Sequence, residues 1–416
     1  MENTANTTPW GTGRKVLFRF FFVYFLMYCF FNFMDMTSLW SVPITWLGRK
    51  MHLFKAIPAL PNGSGDTTYN YLQLLCYLVI AFTVCIIWSL LDRKRPGYEK
   101  LRYWFFVMLR YVLGLFMLTY GFAKIFKSQF PFPYPSRLLE PIGEQSPMGL
   151  AWTFMGYSIG FNLFTGLAEA LGGLFLMFRR TTTFGALFSM TVLTNIVAMN
   201  FFYDIPVKLF SAHLLLMAII IALPDAKRLI DFFFLDKAVP APSFYRPIYG
   251  KKWMRISRVV LRIIIIAGLT GLMTYEGIID AKEYGDYAPK SSLAGVYNVE
   301  EFSLNGAIVP PLITDSTRWR YFIINDNQYA SAKTMTDKLI YYDMKLDTVK
   351  KTILLKDKDE KEVGTLSYSV PDTAHMIVTG MLEKDSLHIT FKRKAMKDFR
   401  LVGRGIHWVN EYPFNR

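Results

Sequence analysis

The sequence predicts an α-helical polytopic membrane bundle of about seven transmembrane helices, followed by a C-terminal antiparallel β-barrel-like domain. Three observations predict this fold class. Of the 416 residues, 52% are hydrophobic and 17% are aromatic, and the mean hydropathy is positive. Seven stretches are apolar over the roughly 20 residues that a helix needs to cross a bilayer. From about residue 288 onward, they give way to short runs that alternate polar and apolar residues.

The seven apolar stretches carry the membrane prediction. The fourth is longer than one span, and a separate interfacial helix is expected at its start, around Trp152. The first lacks a small-residue cleavage site, so we expect an anchor rather than a cleaved signal peptide. The approximate bounds are 15–36, 69–91, 103–126, 149–178, 182–202, 205–224 and 256–276.

The net charge of +15 would suggest a nucleic-acid partner in a soluble protein. Here, however, Lys and Arg cluster beside the apolar stretches, for example Arg14 and Lys15 before the first and "DRKRPGYEKLR" after the second. This is the arrangement that the positive-inside rule describes. Nucleic acid is therefore excluded as a partner, and we expect membrane lipids and the proteins of a membrane complex.

The same charges predict the orientation. Arg179 and Arg180, "DAKRL" and "GKKWMRISR" fall on the side of Arg14 if the N-terminus is cytoplasmic. Seven spans then place the C-terminus on the opposite side. We therefore predict a multi-pass protein of the bacterial inner membrane, with a transmembrane domain at 1–287 and a periplasmic, extracytoplasmic β domain at 288–416.

The last part of the chain predicts a closed antiparallel meander. Alternating runs such as "RWRYFIIN", "TLSYSV" and "LHITFKR" are separated by turn signals such as "NDN" and "KDKDE". Regular short strands joined by tight turns favour a sheet that closes on itself. Eight or nine strands in this length indicate a small lipocalin-like barrel.

Glu169 is the residue that most needs an explanation, because a carboxylate within a bilayer costs a few kcal/mol. It lies in "FNLFTGLAEALGGLFLMFRR" and shares one helix face with Asn162, Gly166 and Gly173. We expect it to pair with Arg110, which lies at a similar depth of roughly 12–17 Å. Such a pair either fixes helix packing or lines a cavity for a polar or quinone-like ligand.

A second polar group is predicted nearer the outer side of the membrane, where cations, an acid, amides and phenols occur at one depth. It resembles the mouth of a site. Simpler interpretations stay open, because Asp204 and Lys208 are four residues apart and a terminal lysine often snorkels. His213 is more often a hydrogen-bonded core residue than a proton relay. The group comprises Tyr120, Lys124, Lys127, Asn195, Asn200, Tyr203, Asp204, Lys208 and His213.

Metal and haem sites are not predicted. Among five histidines, only His213 lies in a clear span, so a bis-histidine haem lacks its second ligand. His375 and His388 lie on predicted strands without metal-ligand spacing. Cys29, Cys76 and Cys85 lie in apolar stretches and include no C-x-x-C pair. The residues themselves indicate no cofactor, and a quinone is the one candidate that the polar cavity hypothesis admits.

Several segments resemble the DoxX family of bacterial and archaeal membrane proteins. They are "YGFAKIFKSQFPFP", "PIGEQSPMGLAW", "FTGLAEALGGLFLMFRR" and "LTNIVAMNFFYDIPVKLFSAHLLLMAIIIAL". The matching elements are Gly121 with Lys124, and Glu169 with Gly172, Gly173 and Arg180. The resemblance covers about 100–235, and the tail "LVGRGIHWVNEYPFNR" is similar to tails of Bacteroidetes homologues. The first and last spans and the β domain depart from the short family pattern.

This resemblance implies a redox-linked function, because family members have been linked to a thiosulfate:quinone oxidoreductase and to thiol redox partners. The first hypothesis is thus a redox-linked subunit that binds a quinone or similar apolar ligand near Arg110 and Glu169. The second is a non-enzymatic accessory or scaffold subunit of an envelope complex, or a lipid or protein carrier. A transporter is less favoured, because no inverted repeat is evident.

Overall fold

The computed structural model describes residues 9–33, 37–52, 63–239, 251–283, 285–325 and 328–415. In these residues, helices occupy the chain as far as residue 283, and a closed antiparallel β-barrel follows. This confirms the predicted combination of a helical bundle with a barrel.

Seven helical segments of the described chain are long and apolar enough to cross a membrane, which is the predicted number. They contain α1 (Thr12–Phe33), α3 (Thr68–Leu91), α4 (Glu99–Ile125), α7 (Ile159–Met177), α8 (Thr182–Phe202), α9 (Lys208–Ala222) and α11 (Lys252–Glu283). Shorter helices are α2 (Ser41–Lys50), α5 (Pro135–Leu138), α6 (Pro147–Tyr157), α10 (Ala226–Phe233) and α12 (Arg400–Gly403).

The fourth apolar stretch contains two helices, as its length and Trp152 predicted. Ser158 separates α6 from α7, and its side-chain oxygen accepts a hydrogen bond from the backbone N–H of Phe161 (3.2 Å). Serine is a preferred N-cap because it satisfies a backbone donor that has no partner inside the helix. A new helix therefore starts at Ile159, and only α7 is long enough to span.

The barrel contains nine strands in the described residues, and eight of them close the sheet. They are β1 (Gly295–Leu304), β2 (Ala307–Ile308), β3 (Trp319–Ile324), β4 (Tyr329–Thr334), β5 (Leu339–Asp347), β6 (Thr352–Lys356), β7 (Glu362–Ser369), β8 (His375–Leu382) and β9 (Asp385–Lys394). From β3 to β9, each strand pairs antiparallel with the next, and β1 pairs with both β3 and β9. The two-residue β2 only extends β1.

The inside of the barrel is filled by side chains. Phe302, Phe322 and Phe391 are each at most 1% exposed, and Trp319 stacks on Phe322 with ring centroids 5.4 Å apart. A barrel of eight strands has an interior just wide enough for side chains to fill it. The aromatic residues that alternate along these strands therefore form the core of this part of the chain.

The chain divides into two compact units. The first consists of Met1–Phe130, Pro147–Ala151 and Ser158–Ala281, and the second of Pro131–Ser146, Trp152–Tyr157 and Lys282–Arg416. The last and longest segment of the second unit begins at Lys282, near residue 288. The second unit also includes part of the connection between α4 and α7, which the sequence had assigned to the transmembrane domain.

Within the second unit, the connection that contains α5 packs on the outer face of the barrel. Leu138 and Leu139 contact a cluster formed by Val296 and Ile323, whose side chains are fully buried. The ammonium group of Lys333 donates a hydrogen bond to the carbonyl oxygen of Leu139 (3.0 Å). The barrel therefore buries two outward-facing apolar residues with a segment that lies more than a hundred residues earlier in the sequence.

Replacement of Leu138 or Leu139 by Ala should lower the free energy of unfolding of the second unit by about 1–2 kcal/mol each, because a half-buried leucine loses its apolar contacts. Urea-dependent proteolysis of the purified full chain, scored by cleavage within the barrel, measures this change. Ile142→Ala on the same connection is the matched control, since Ile142 is 76% exposed. Equal effects of all three substitutions would contradict the packing role of the connection.

Candidate functional site

Helices α4 and α7 touch through their backbones at two points. Gly114 faces Gly173, and Gly121 faces Gly166, so each helix contributes two glycines seven residues apart. A Cβ atom on Gly121 would lie 2.8 Å from the carbonyl oxygen of Gly166, and one on Gly173 would lie 2.7 Å from that of Gly114. Only glycine permits this approach, which is typical of close helix pairs in membranes. We call this contact the glycine seam.

Next to the seam, Lys124 and Glu169 form a buried ion pair. The ammonium nitrogen of Lys124 lies 2.8 Å from one carboxylate oxygen of Glu169 and 2.9 Å from the other. Their side chains are only 6% and 3% exposed. The attraction between two opposite charges offsets the cost of removing both from water.

The expected pair of Glu169 with Arg110 is wrong, and side-chain direction explains why. In a helix, side chains lean toward the N-terminus. Since α4 and α7 are antiparallel, Lys124 and Glu169 lean toward each other. Arg110 leans away from Glu169, toward the end of α7. Counting residues inward from the basic connections places Arg110 and Glu169 at similar depths. This count ignores the direction in which each side chain leans.

Arg110 instead holds the C-terminal end of α7. Its Nε donates to the carbonyl oxygen of Leu176 (3.0 Å) and its Nη2 donates to that of Met177 (3.3 Å). These carbonyls belong to the last turn of the helix, where intrahelical donors are lacking and the helix dipole is negative. A buried cation at this position therefore stabilises the helix end.

Aromatic rings and an amide surround the ammonium group of Lys124. The ring centres of Tyr120 and Phe130 lie 5.8 and 5.7 Å from its nitrogen, within the range of a cation–π interaction. Asn162, which is fully buried, donates from its side-chain nitrogen to the carbonyl oxygen of Phe130 (3.2 Å). The structure therefore brings Tyr120, Lys124, Asn162 and Glu169 together in one buried cluster.

His213 belongs to a different cluster, which links α9 to α1. Its Nδ1 lies 2.6 Å from the carbonyl oxygen of Leu209, so this nitrogen carries the proton. Its Nε2 lies 2.6 Å from the Tyr24 hydroxyl and must then accept the hydrogen bond. The Tyr28 ring stacks on the imidazole at 4.1 Å. These contacts are those of a neutral, hydrogen-bonded core histidine.

The remaining outer residues pair locally around the start of α9. Asn200 donates from its side chain to the Ser211 hydroxyl (2.9 Å), and Lys208 lies 2.8 Å from the carboxylate of Asp204. Asp66, which the sequence did not single out, accepts hydrogen bonds from the backbone N–H groups of Lys208 (2.8 Å) and Leu209 (2.9 Å). Because Asp66 precedes α3 in the chain, no local pattern indicated its role as a cap of α9.

Asn195 does not join any of these groups. Its side chain is exposed on α8, and none of the described residues hydrogen-bonds to it. The predicted mouth of a single site is therefore replaced by separate clusters around Lys124, His213 and Lys208. The sequence placed these residues at similar depth, but depth alone does not specify which side of a helix faces the bundle.

Arg19 lies in the first apolar stretch, and the structure buries its side chain. Its guanidinium donates to the Tyr98 hydroxyl (3.0 Å), the Ser89 hydroxyl (2.9 Å) and the backbone carbonyl of Asp92 (2.9 Å). The Tyr98 hydroxyl in turn donates to the Asp92 carboxylate (2.8 Å), and this bond, with nearby Arg95, holds the pKa of Asp92 below its usual value. The network ties α1 to the α3–α4 connection.

Several buried polar atoms of side chains in the first unit have no hydrogen-bond partner among the described residues. They include Nε1 of Trp40, the side-chain nitrogen of Gln73 and the hydroxyl of Tyr77. The Trp40 ring lies 5.2 Å from that of Tyr77, which is one helical turn after Gln73 on α3. Buried donors normally have partners. An oxygen atom of a ligand would satisfy such donors, which sequence inspection did not single out.

Replacing only one member of the buried ion pair, as in Glu169→Gln or Lys124→Met, should destabilise the first unit by about 3–5 kcal/mol, because the other charge stays buried alone. The double replacement Lys124→Met/Glu169→Leu should recover much of this loss, since no charge then remains. Denaturant titration of the purified chain measures the difference. Asp204→Asn, which breaks an exposed pair, should leave stability nearly unchanged and serves as the control.

If Glu169→Gln were as stable as the parent protein, the ion pair would contribute nothing to the fold. If the double variant were no more stable than either single variant, the loss would come from packing rather than from an uncompensated charge. Either result would contradict the assigned role of the pair.

Comparison with known proteins gives one informative relationship. No family model matches the chain, and no solved structure matches it. The uncharacterized protein YwoB of Bacillus subtilis (strain 168) is 33% identical to it over 124 residues. This stretch is 30% of the present chain and 79% of YwoB. With most of YwoB matched at this identity, the chain belongs to the same protein family as YwoB.

Proposed function

We propose that this protein is a non-enzymatic accessory subunit of an envelope complex in a bacterial inner membrane. The helical unit anchors it, and the β unit docks a protein partner on the periplasmic side. The exposed C-terminal tail carries this proposal. Ile406, Trp408 and Tyr412 are 91%, 98% and 84% exposed, although large apolar side chains of this kind dominate the centres of protein interfaces.

The state of the buried polar groups supports a role without chemistry in the bundle. Lys124 and Glu169 neutralise each other, and Arg110 is committed to the end of α7. His213 uses both ring nitrogens in hydrogen bonds to the protein. Groups that are already paired within the protein would have to break those bonds before they could bind or activate a substrate.

The filled barrel supports docking through a surface. Since aromatic side chains occupy its interior, the β unit offers its outer face, its loops and its tail to a partner rather than a lipocalin-type ligand cavity. The orientation in this proposal rests on the basic residues beside Arg14, Arg93 and Arg179, which the positive-inside rule places in the cytoplasm.

Photo-crosslinking in native membranes tests the docking function. A benzophenone amino acid in place of Trp408 should give discrete adducts with a protein, because this side chain is exposed and apolar. The same probe in place of Val349, which is 91% exposed in the turn after β5, is the matched control and should give none. Adducts only with lipid, or equal adducts from both positions, would exclude the tail as a protein-docking segment.

A redox-linked subunit that binds a quinone is the second candidate, and the donors of Trp40 and Gln73 favour it. The two carbonyl oxygens of a quinone accept hydrogen bonds, and the neighbouring Tyr77 ring suits an apolar ring system. This function also agrees with the resemblance of 100–235 to the DoxX family.

Quinone extracted from the purified protein tests this second function. Near-stoichiometric quinone in the parent protein and a several-fold loss in Gln73→Leu would favour it, since an acceptor would lose its donor. Gln129→Leu is a control glutamine variant outside the Trp40–Gln73 region. Equal quinone content in both variants, or none in the parent, would contradict quinone binding by these donors.

A further inference from the structure

Arg318, the residue just before β3, is a buried cation in the second unit. It is 3% exposed, and its Nε and Nη1 atoms are buried without a hydrogen-bond partner. Among the described residues, no carboxylate forms an ion pair with it. Buried arginines are normally paired, because the guanidinium group cannot lose its proton in a protein. Two charged donors therefore lack the acceptor that buried polar groups normally have.

Aromatic rings lie next to this guanidinium. Its central carbon lies 5.9 Å from the centre of the Phe302 ring, which belongs to the filled interior of the barrel. The ring attracts the cation through its π-electrons, but it has no oxygen atom to accept the N–H donors. Trp319, the next residue in the chain, is buried and packs in the same interior. In surroundings of such low polarity, a missing acceptor is especially costly.

Asp315 precedes Arg318 by three residues but does not bind its guanidinium. Its Oδ1 accepts hydrogen bonds from the backbone N–H groups of Arg318 (3.0 Å) and Thr317 (2.7 Å) and from the Thr317 hydroxyl (2.7 Å). These bonds hold the pKa of Asp315 below its usual value, so this carboxylate stays ionised. Asp315 therefore weakens the positive field of Arg318 without cancelling it. A single cation with an acid nearby favours a ligand that carries one negative charge over a ligand that carries two.

An exposed apolar segment leads into Arg318. Three of its large apolar side chains are more than half exposed: Ile308, Leu312 and Ile313. This segment is attached to the end of the barrel where Phe302 lies, because Ile308 pairs with Ser303 and the backbone N–H of Val309 donates to the carbonyl oxygen of Phe302 (2.9 Å). Apolar side chains are therefore presented outward close to the ring that contacts Arg318. A ligand that suits both features has an anionic head and a hydrocarbon body.

We propose that this end of the barrel binds a fatty acid, with its carboxylate on Arg318 and its hydrocarbon chain along the exposed segment, outside the filled interior. A carboxylate has one negative charge and a planar shape that a guanidinium matches with charge-assisted hydrogen bonds. The unpaired buried atoms of Arg318 are donors, so a head that offers only acceptors suits them. The terminal residue of a peptide would also bring an amide donor, which favours the fatty acid.

The carboxylate can reach Arg318 from outside at its third nitrogen. Nη2 makes no hydrogen bond to the described residues either, but unlike Nε and Nη1 it is accessible to solvent. Nη1 and Nη2 form one edge of the planar guanidinium, so the two oxygens of one carboxylate can bind both. The site uses neither the tail residue Trp408, which carries the docking function, nor the region around Gln73.

Equilibrium dialysis of the purified full chain in neutral detergent against radiolabelled octanoate tests the proposal. We expect saturable binding of this short fatty acid. Arg318→Gln should weaken the binding at least about tenfold, as expected for the loss of charge-assisted hydrogen bonds. Arg320→Gln is the matched control, because it removes the same charge two residues away, from a side chain that is 47% exposed and pairs with Asp337. This control should bind octanoate within about twofold of the parent, since an exposed charge contributes little.

A second pair of variants tests the hydrocarbon part of the ligand without changing a buried residue. Ile313→Ser should weaken octanoate binding several-fold, because the chain loses apolar contacts. Val349→Ser removes an equally exposed apolar side chain from the turn after β5 and should leave the binding unchanged. Since Ile313 and Val349 are 79% and 91% exposed, this comparison stays informative even if Arg318→Gln does not fold.

Competition against bound octanoate identifies the chemistry that the parent protein recognises. Octanol has the hydrocarbon chain without the charge and should not displace octanoate. Acetate has the charge without the chain and should displace it only at a far higher concentration. N-acetylleucine, which represents the C-terminal residue of a protein, and inorganic phosphate should both compete less well than unlabelled octanoate.

Several outcomes would overturn the proposal. Equal losses in Arg318→Gln and Arg320→Gln would show that binding depends on overall charge, and unchanged binding by Ile313→Ser would exclude the exposed segment as the chain site. Octanol that competes as well as octanoate would show that the carboxylate is not recognised. Stronger competition by N-acetylleucine or by inorganic phosphate would assign the site to a protein terminus or to a phosphate ligand instead.

Discussion

The close contact between the backbones of α4 and α7 is the constraint on which the rest of the helical unit depends. Where Gly121 meets Gly166 and Gly114 meets Gly173, the two helices can neither slide nor rotate without a steric clash. This fixed register sets the separation and the level of every other side chain on the two helices. The glycines therefore determine which charged side chains of α4 and α7 can reach each other.

Two cations of α4 are placed by this register and have opposite surroundings. Lys124 reaches a carboxylate deep in the bundle, whereas Arg110 reaches backbone carbonyls at the C-terminal end of α7. In the first arrangement, the charges of Lys124 and Glu169 neutralise each other, so little net charge remains to attract another molecule. The second places the positive charge of Arg110 against the backbone carbonyls of Leu176 and Met177. Helix α4 thus carries one cation that is neutralised by a carboxylate and another that is bound to backbone carbonyls.

The sequence was sufficient for the features that depend on composition and periodicity. It predicted the number of spans, the extra helix near Trp152, and the barrel, because each follows from local hydrophobic patterns. The face that buries Asn162 and Glu169 also followed from helical spacing.

Partners across helices were not predictable, because they depend on register and tilt rather than on position in the sequence. Glu169 was matched to the wrong cation for this reason. The capping of α9 by Asp66, and the burial of Val296 and Ile323 beneath α5, join segments that are far apart in the sequence. A cavity of the first unit is likewise lined by six arginines from four separate segments, none of which has a distinctive motif alone.

The closure of the barrel has a mechanical consequence. Because β1 and β9 pair antiparallel, Val296 at the start of the barrel is directly opposite Lys394 at its end. A pulling force between the incoming chain and the outgoing tail would therefore act on that one pair first and then on the next. Hydrogen bonds loaded one after another resist far less force than bonds loaded together in shear. Tension on the tail would thus separate β1 from β9 one residue pair at a time, starting at Val296 and Lys394.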